Sequence, residues 1–458
     1  MSLPAEIFRA YDIRGLVGSA LTPAVLREIG RALGTLGRER GAATFAVGRD
    51  GRLSGPELAA ALMDGLNAAG ADVIELGMVP TPVAYFAAHH LGCGNAAMLT
   101  GSHNPPGYNG LKMVVAGDTL QGDEIQALRR KIEVGFTSPV SSSKRIRADI
   151  LDAYVDRIAG DVKLARPFRI AIDCGNGVAG ALAPRLYRRL GCEVTELYCE
   201  VDGNFPNHHP DPSQPENLKD LISCVRQNNS ELGLAFDGDG DRLGVITKSG
   251  KIIFPDRQLM LYARDVLRRN PGAEIIYDVK CTRLLAPWIE RHGGRPVLWK
   301  TGHSLIKAKL KQSGAPLAGE MSGHIFFKER WYGFDDALYC GARLLEILSN
   351  DEDPESTLTG LPDAPSTPEI NWKLAEGEPH ALVSRLQGLR PFPGAARVLT
   401  IDGVRAEYAD GFGLARASNT SPVIVLRFEG DTPQALARIR EEFRQALQPL
   451  KPDSPLPF

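Results

Sequence analysis

The 458-residue sequence predicts three related α/β domains followed by a smaller α+β domain lying against them. Three observations carry this. A strand–turn–helix–strand unit recurs three times, the pattern of a parallel sheet flanked by helices. The length suits about three or four domains of ~100–200 residues each. Beyond about Asp363 the texture changes and the unit no longer recurs.

In the first copy, the apolar run 44–47 leads into Gly48-Arg49-Asp50-Gly51, then a helical stretch at 56–69, Gly70 and a strand at 72–76. In the second, a strand at 168–172 is followed by Asp173-Cys174-Gly175-Asn176-Gly177, a helix, Gly191 and a strand at 193–198. The third has a strand at 274–277, the turn Asp278-Val279-Lys280-Cys281, a helix at 284–292, Gly293-Gly294 and a strand at 296–299. Three copies imply three related domains, expected at 1–147, 148–250 and 251–363, with 364–458 as the fourth. The acidic stretch Asn350-Asp351-Glu352-Asp353-Pro354 reads as a surface excursion before the change of texture. Strands at 397–401 and 423–428 and a helix at 432–446 make up the last part.

Composition excludes several classes of function. A chain that is 43% hydrophobic and 24% charged has material for several cores. With 53 Lys+Arg against 55 Asp+Glu, the net charge of -2 argues against a nucleic-acid or membrane-surface binder. The seven cysteines contain no C-x-x-C pair, so they read as small buried hydrophobes in a reducing compartment. No segment approaches the ~18 apolar residues of a membrane span. Met1-Ser2-Leu3-Pro4-Ala5-Glu6 lacks the basic and apolar blocks of a signal peptide. A cytoplasmic protein with small-molecule partners is expected.

Four loops stand out. Ser102 lies in Thr100-Gly101-Ser102-His103-Asn104-Pro105-Pro106, directly after the apolar run 96–99, where the strand must stop in a turn. Neither hydrolase pattern fits this serine: G-x-S-x-G needs glycine where Thr100 and Asn104 stand, and S-x-x-K needs lysine at Pro105. Asp237-Gly238-Asp239-Gly240-Asp241-Arg242 places three carboxylates at alternating positions, on one side if the backbone is extended. Such hard oxygen donors suit Mg²⁺ or Ca²⁺, but Arg242 and Lys248 replace the Gly and Glu of an EF-hand. In Gly319-Glu320-Met321-Ser322-Gly323-His324, an extended loop would put Glu320, Ser322 and His324 on one face, at the spacing of sugar hydroxyls. Arg416-Ala417-Ser418-Asn419-Thr420-Ser421-Pro422 offers a guanidinium with hydroxyl and amide donors that can wrap a phosphate. A nucleophile, a divalent metal, a polyol reader and a phosphate clamp are the parts of phosphoryl transfer on a phosphorylated sugar. One competing signal is Gly175-x-Gly177-x-x-Gly180, a dinucleotide fingerprint that taken alone points to an NAD-dependent dehydrogenase.

With these four loops in this order, the chain resembles the α-D-phosphohexomutases, in their bacterial phosphomannomutase/phosphoglucomutase branch. The resemblance spans nearly the whole chain and implies three α/β/α sandwich domains plus a smaller C-terminal α+β domain around a central cleft. It implies that Ser102 is carried phosphorylated, with Mg²⁺ between it and Asp237, Asp239 and Asp241. The phosphoryl group then passes to a hexose phosphate, giving a bisphosphate that turns over in the cleft, with glucose 1,6-bisphosphate as activator. Arg416, Ser418, Asn419 and Thr420 match the family's clamp, and Glu320, Ser322 and His324 its sugar loop. Tyr11, Arg14 and Lys280 match cleft residues. His103, Lys112, Arg242 and His303 fall at catalytic positions, with Lys112 and His303 expected to transfer protons. Family members are often monomeric, so a monomer is expected here. The family's glucosamine branch usually shows Gln at Met321 and Gly at Asn419, which points this chain to mannose and glucose phosphates. Phosphoglucosamine mutase is the nearest alternative; a dehydrogenase and a non-catalytic sugar-phosphate binding module are the more distant ones.

Overall fold

The computed structural model describes residues 3–135, 143–389 and 392–458; Met1 and Ser2 of the N-terminal stretch lie outside them. The first three sheets share one path. In the first, Thr44–Arg49 lies between its parallel neighbours Asp72–Met78 and Ala96–Leu99, and Tyr108–Val115 returns antiparallel beside Ala96–Leu99. In the second, Arg169–Asp173 lies between Glu193–Leu197 and Leu232–Phe236, and Leu243–Thr247 returns antiparallel. In the third, Glu274–Asp278 lies between Arg295–Trp299 and Leu317–Gly319, and Ile325–Phe327 returns antiparallel. Two crossover helices join the parallel strands of each sheet, as parallel pairing requires: Gly55–Ala68 and Thr81–His90, then Ala183–Arg189 and Lys219–Gln227, then Leu285–Arg291 and His303–Ser313. The repeat therefore runs two strands further than its sequence pattern, through a third parallel strand and a returning one. These are the three α/β/α domains.

The fourth sheet is antiparallel throughout, in the spatial order Ile370–Lys373, Val423–Gly430, Gly411–Ala417, Val404–Tyr408, Arg397–Leu399. Leu386, Ile439 and Phe443 of two helices pack with Leu426 and Phe428 to form its core. Sequence patterning misses three of these strands. Gly411–Ala417 carries no β-branched residue; it is a strand because it is paired on both sides and buried at all seven positions. Asp353, within the acidic stretch, accepts a hydrogen bond from the Ser356 amide (3.2 Å) and caps the short helix Pro354–Thr359. No helix among the described residues is long and apolar enough to cross a membrane.

All four loops singled out in the sequence sit at hairpins. The first three follow the third parallel strand of their sheets, at the carboxyl end, where crevices of open α/β sheets form. The fourth joins Gly411–Ala417 to Val423–Gly430.

In the first domain, the helices Pro23–Glu39 and Gly55–Ala68 meet at Gly30 and Gly65. A Cβ on Gly65 would collide with the Arg27 carbonyl oxygen of the facing helix. Gly65→Ala is expected to destabilise the protein by about 1–3 kcal/mol, measured as a lower Tm. An unchanged Tm would mean the helices can separate without cost.

Candidate active site

Ser102 is buried at 2% exposure and holds a left-handed backbone conformation, φ +48°. For a residue other than glycine that costs roughly 1–3 kcal/mol unless its surroundings hold it. The Ser102 amide donates to Thr100 Oγ1 (2.8 Å), and its hydroxyl donates to Asp237 Oδ2 across the boundary between the first and second domains (2.9 Å). The hydroxyl also lies 3.1 Å from His103 Nδ1. Burial, then the Arg242 and Arg14 cations, hold the His103 imidazole well below its usual range. Arg14 itself binds Asp12 and the Asn104 side chain, inside the same loop.

The aspartate loop is a tight turn. The extended geometry expected from sequence does not form, because Gly240 takes φ +79° and the Gly240 amide returns to the Asp237 carbonyl (3.2 Å). The turn still converges the carboxylates: ligand atoms of Asp237, Asp239 and Asp241 lie within 4.8 Å of one another, and all three side chains are buried. Asp237 Oδ1 accepts amides from Gly240, Asp241 and Arg242 at 3.0 to 3.2 Å. Lys112, buried in the first domain, bridges Asp239 Oδ2 (2.8 Å) and Asp241 Oδ2. Burial would discharge the ammonium, but these two carboxylates outweigh it and hold Lys112 well above its usual range. Burial and its two acidic neighbours push Asp237 well up. Asp239 Oδ1 and Asp241 Oδ1 are buried without a hydrogen-bond partner. Two orphaned carboxylate oxygens beside a third carboxylate and a serine hydroxyl fit a hard divalent cation such as Mg²⁺.

The sugar loop is also a turn, closed by the Glu320 amide on the His324 carbonyl (2.8 Å), with Gly323 at φ +106°. Ser322 Oγ donates to Glu320 Oε2 (3.3 Å), whose other oxygen accepts the Gly302 amide. His324 is held separately: Arg242 Nε donates to its Nε2 (3.1 Å), and its Nδ1 lies 3.1 Å from Asp335 Oδ2. Asp335 also faces His303 Nδ1 (3.8 Å) and accepts from Lys307 (2.9 Å). Burial, then the Lys307 charge, hold His303 well below its usual range, so its imidazole is neutral at pH 7. Asp335 and Lys307 were missed by sequence reading. The one available signal was the acidic pair Asp335-Asp336 before an apolar helix: Asp336 caps that helix on the Tyr339 amide (2.9 Å), leaving Asp335 without a capping task.

In the fourth domain, Arg416 Nε donates to Asp402 Oδ2 (3.0 Å), while its Nη2 is buried without a partner. Ser418 Oγ lies 3.3 Å from Thr420 Oγ1. Asn419 reaches Tyr11 Oη, which in turn donates to the Thr301 carbonyl (2.7 Å). Lys280 pairs with Glu369 (2.6 Å). The contacts form a ring: Ser102 on Asp237, Arg242 on His324, the Thr301 amide on Asp402 (2.9 Å), and Asn419 on Tyr11. The ring encloses a cleft of about 320 Å³, and every candidate residue other than the three aspartates lines it. The aspartates lie behind Ser102 and Lys112.

Two of the sequence signals reflect packing within the chain and not contact with a ligand. Met321 is buried in the apolar core behind its loop and does not line the cleft, so any effect it has on sugar choice is indirect. The Gly175–Gly180 fingerprint is a packing device. A Cβ on Gly180 would collide with the Cys199 carbonyl, and one on Gly177 would come within 2.9 Å of Gly238 in the aspartate loop. The aspartate loop of the same chain packs directly against Gly177.

Comparison with known proteins agrees with this architecture. Residues 5–137, 152–250 and 254–364 match the phosphoglucomutase/phosphomannomutase α/β/α domains I, II and III, and residues 369–446 match the C-terminal domain of the same family. A phosphomannomutase/phosphoglucomutase of Pseudomonas aeruginosa is 57% identical over 459 aligned residues, covering 100% of this chain and 98% of that one. A phosphoglucomutase of Neisseria gonorrhoeae is 57% identical over 449 residues, with 98% of each chain covered. The crystal structure of a phosphoglucomutase/phosphomannomutase family protein from Burkholderia thailandensis superposes with a TM-score of 0.94 at 57% identity, covering 100% of both chains. The chain belongs to the phosphoglucomutase/phosphomannomutase family.

Proposed function

We propose that this protein is a phosphomannomutase/phosphoglucomutase that moves a phosphoryl group reversibly between C1 and C6 of mannose and glucose phosphates, by way of a phosphoserine at Ser102 and a bisphosphorylated sugar. The observation that carries this is the Ser102 hydroxyl on Asp237, facing across one cleft an Arg416 guanidinium with an unused buried donor. The names of the relatives at 57% identity support the reaction class. The division into domains at 1–147, 148–250, 251–363 and 364–458 puts one loop of the cleft on each.

Arg416, Ser418, Asn419 and Thr420 hold the phosphate the substrate already carries. Glu320 and Ser322 accept and donate to sugar hydroxyls, while Tyr11, Arg14 and Lys280 border the same space. The P–O bond to Ser102 Oγ breaks as a P–O bond forms to the free sugar hydroxyl, whose proton passes to a cleft base. His303, which lines the cleft and faces Asp335, is placed for that role. Lys112, locked as a cation by two carboxylates, serves better as fixed positive charge than as the proton carrier expected from sequence. Arg242, whose Nε is held by His324, adds charge and donors beside the transferring group. Asp237, Asp239, Asp241 and Ser102 would hold Mg²⁺, which when bound offsets the charge of the phosphoryl oxygens. The bisphosphate then reorients, and its other phosphoryl group returns to Ser102. Glucose 1,6-bisphosphate primes the serine. We take the enzyme to act as a cytoplasmic monomer.

Turnover with Mg²⁺ and a trace of glucose 1,6-bisphosphate tests this on glucose 1-phosphate, mannose 1-phosphate and glucosamine 1-phosphate. Conversion of the first two is expected, within about a thousandfold of each other. Turnover of glucosamine alone would move the protein to that branch, and silence on all three would leave a binding module. Ser102→Ala is expected to abolish turnover while retaining substrate affinity. Asp239→Ala removes a partner of buried Lys112 and is expected to abolish Mg²⁺-dependent turnover and lower stability by about 3–5 kcal/mol. A fully active Asp239→Ala enzyme would sink the metal assignment. Arg416→Ala should raise KM by about ten- to a hundredfold, as loss of a charged phosphate contact does.

A further inference from the structure

The serine loop is held from inside by an arginine that lies in none of the four motifs. Arg52 follows the first repeat turn and is 1% exposed. It uses all five of its N–H donors. Nε meets Asp50 Oδ2 (3.2 Å); Nη1 meets the carbonyls of Pro105 (2.6 Å) and Tyr108 (2.9 Å); Nη2 meets those of Ser102 (2.8 Å) and Asn104 (2.5 Å). Four of the five bonds go to main-chain oxygens of a single loop. Asp50 supplies the complementary half: its Oδ2 also accepts Thr100 Oγ1 (2.8 Å) and the Gly101 amide (3.1 Å). Since Thr100 Oγ1 accepts the Ser102 amide (2.8 Å), both main-chain groups of Ser102 trace back to the Asp50–Arg52 pair. The Phe205 ring, from the second domain, covers the guanidinium at 5.1 Å.

Four carbonyl dipoles converging on one point repel one another and would repel a phosphoryl group on the adjacent serine. A planar cation with five donors answers both. The left-handed backbone at Ser102 needs such support, and it is what directs Oγ to Asp237. Arg52 does not line the cleft. We propose that Arg52, oriented by Asp50, is a positioning residue for phosphoryl transfer, acting only through the Ser102 loop. This rests on Ser102 being the phosphoryl carrier.

Two substitutions test it. Arg52→Lys keeps the charge with three donors on one atom, and Arg52→Met keeps the stem with none. On glucose 1-phosphate, kcat is expected to fall about a hundredfold in Arg52→Met and by less in Arg52→Lys, since a displaced nucleophile loses about that much. KM should stay within about threefold, because the phosphate clamp is untouched. Phosphoryl uptake from glucose 1,6-bisphosphate, read by intact mass, should slow in step, and amide exchange over residues 101–108 should quicken. If Arg52→Met fails to fold, Phe205→Leu takes its place: it uncovers the guanidinium without removing a loop bond, and a smaller kcat loss at constant KM is expected. Wild-type kcat in the folded variants, a loss residing wholly in KM, or unchanged exchange over 101–108 would overturn the proposal. A wild-type enzyme silent on every hexose phosphate would instead sink the mutase reading, leaving loop exchange to judge Arg52.

Discussion

Three carboxylates with no solvent exposure, at Asp237, Asp239 and Asp241, are stable together inside a protein only where cations meet them. Lys112 meets two of them from the first domain, while the third takes the Ser102 hydroxyl and three amides of its own turn. The boundary between the first two domains is thus fixed by charge. The same charge balance puts the Ser102 hydroxyl against a site suited to a divalent cation. Moving either domain away would strand a buried ammonium or two buried carboxylates, so the pair of domains behaves as one rigid wall of the cleft.

The other walls use the same hairpin position with different side chains. After the third parallel strand of each α/β/α domain, one sheet presents a serine, the next three aspartates and the third a glutamate with a histidine. Repetition of the fold brings three carboxyl-terminal crevices to one point, and local chemistry divides the labour among them. The fourth domain breaks the repeat and closes the ring through Asn419 on Tyr11 and Asp402 on the Thr301 amide. The third and fourth domains also share charge pairs, Arg427 with Asp256 (3.2 Å) and Lys280 with Glu369 (2.6 Å), so the light contact is the one between the fourth domain and the first, Asn419 on Tyr11. The boundary of the first and fourth domains is thus the lighter one, and the Arg416 loop proposed to hold phosphate lies beside it.

The loops and the strands leading into them were legible because their signals are local. Leu232–Phe236 and Leu243–Thr247 are apolar runs on either side of a charged turn, and their bounds follow directly. What the pattern hid depends on tertiary pairing. Gly411–Ala417 becomes a strand through its two neighbours, and the aspartate and sugar loops curl because Gly240 and Gly323 accept left-handed geometry. Cleft placement of the candidate residues could be expected only from the resemblance, since no spacing links Tyr11 to Asn419 across 408 positions. Arg52 stands three residues after Arg49, just past the same turn, and nothing local tells which of the two points inward under the serine loop. Asp335 was hidden in the same way behind the helix-capping role of its neighbour.

The most direct test of the account is where the phosphoryl group resides. The protein would be incubated with Mg²⁺ and glucose 1,6-bisphosphate, digested and sequenced by mass spectrometry, and a second sample chased with glucose 1-phosphate before digestion. A single phosphoryl group on Ser102 that the chase returns to sugar is the predicted result. Phosphorylation at another residue, or a phosphoserine that the chase leaves in place, would contradict the assignment of the Ser102–Asp237 contact as the centre of the reaction.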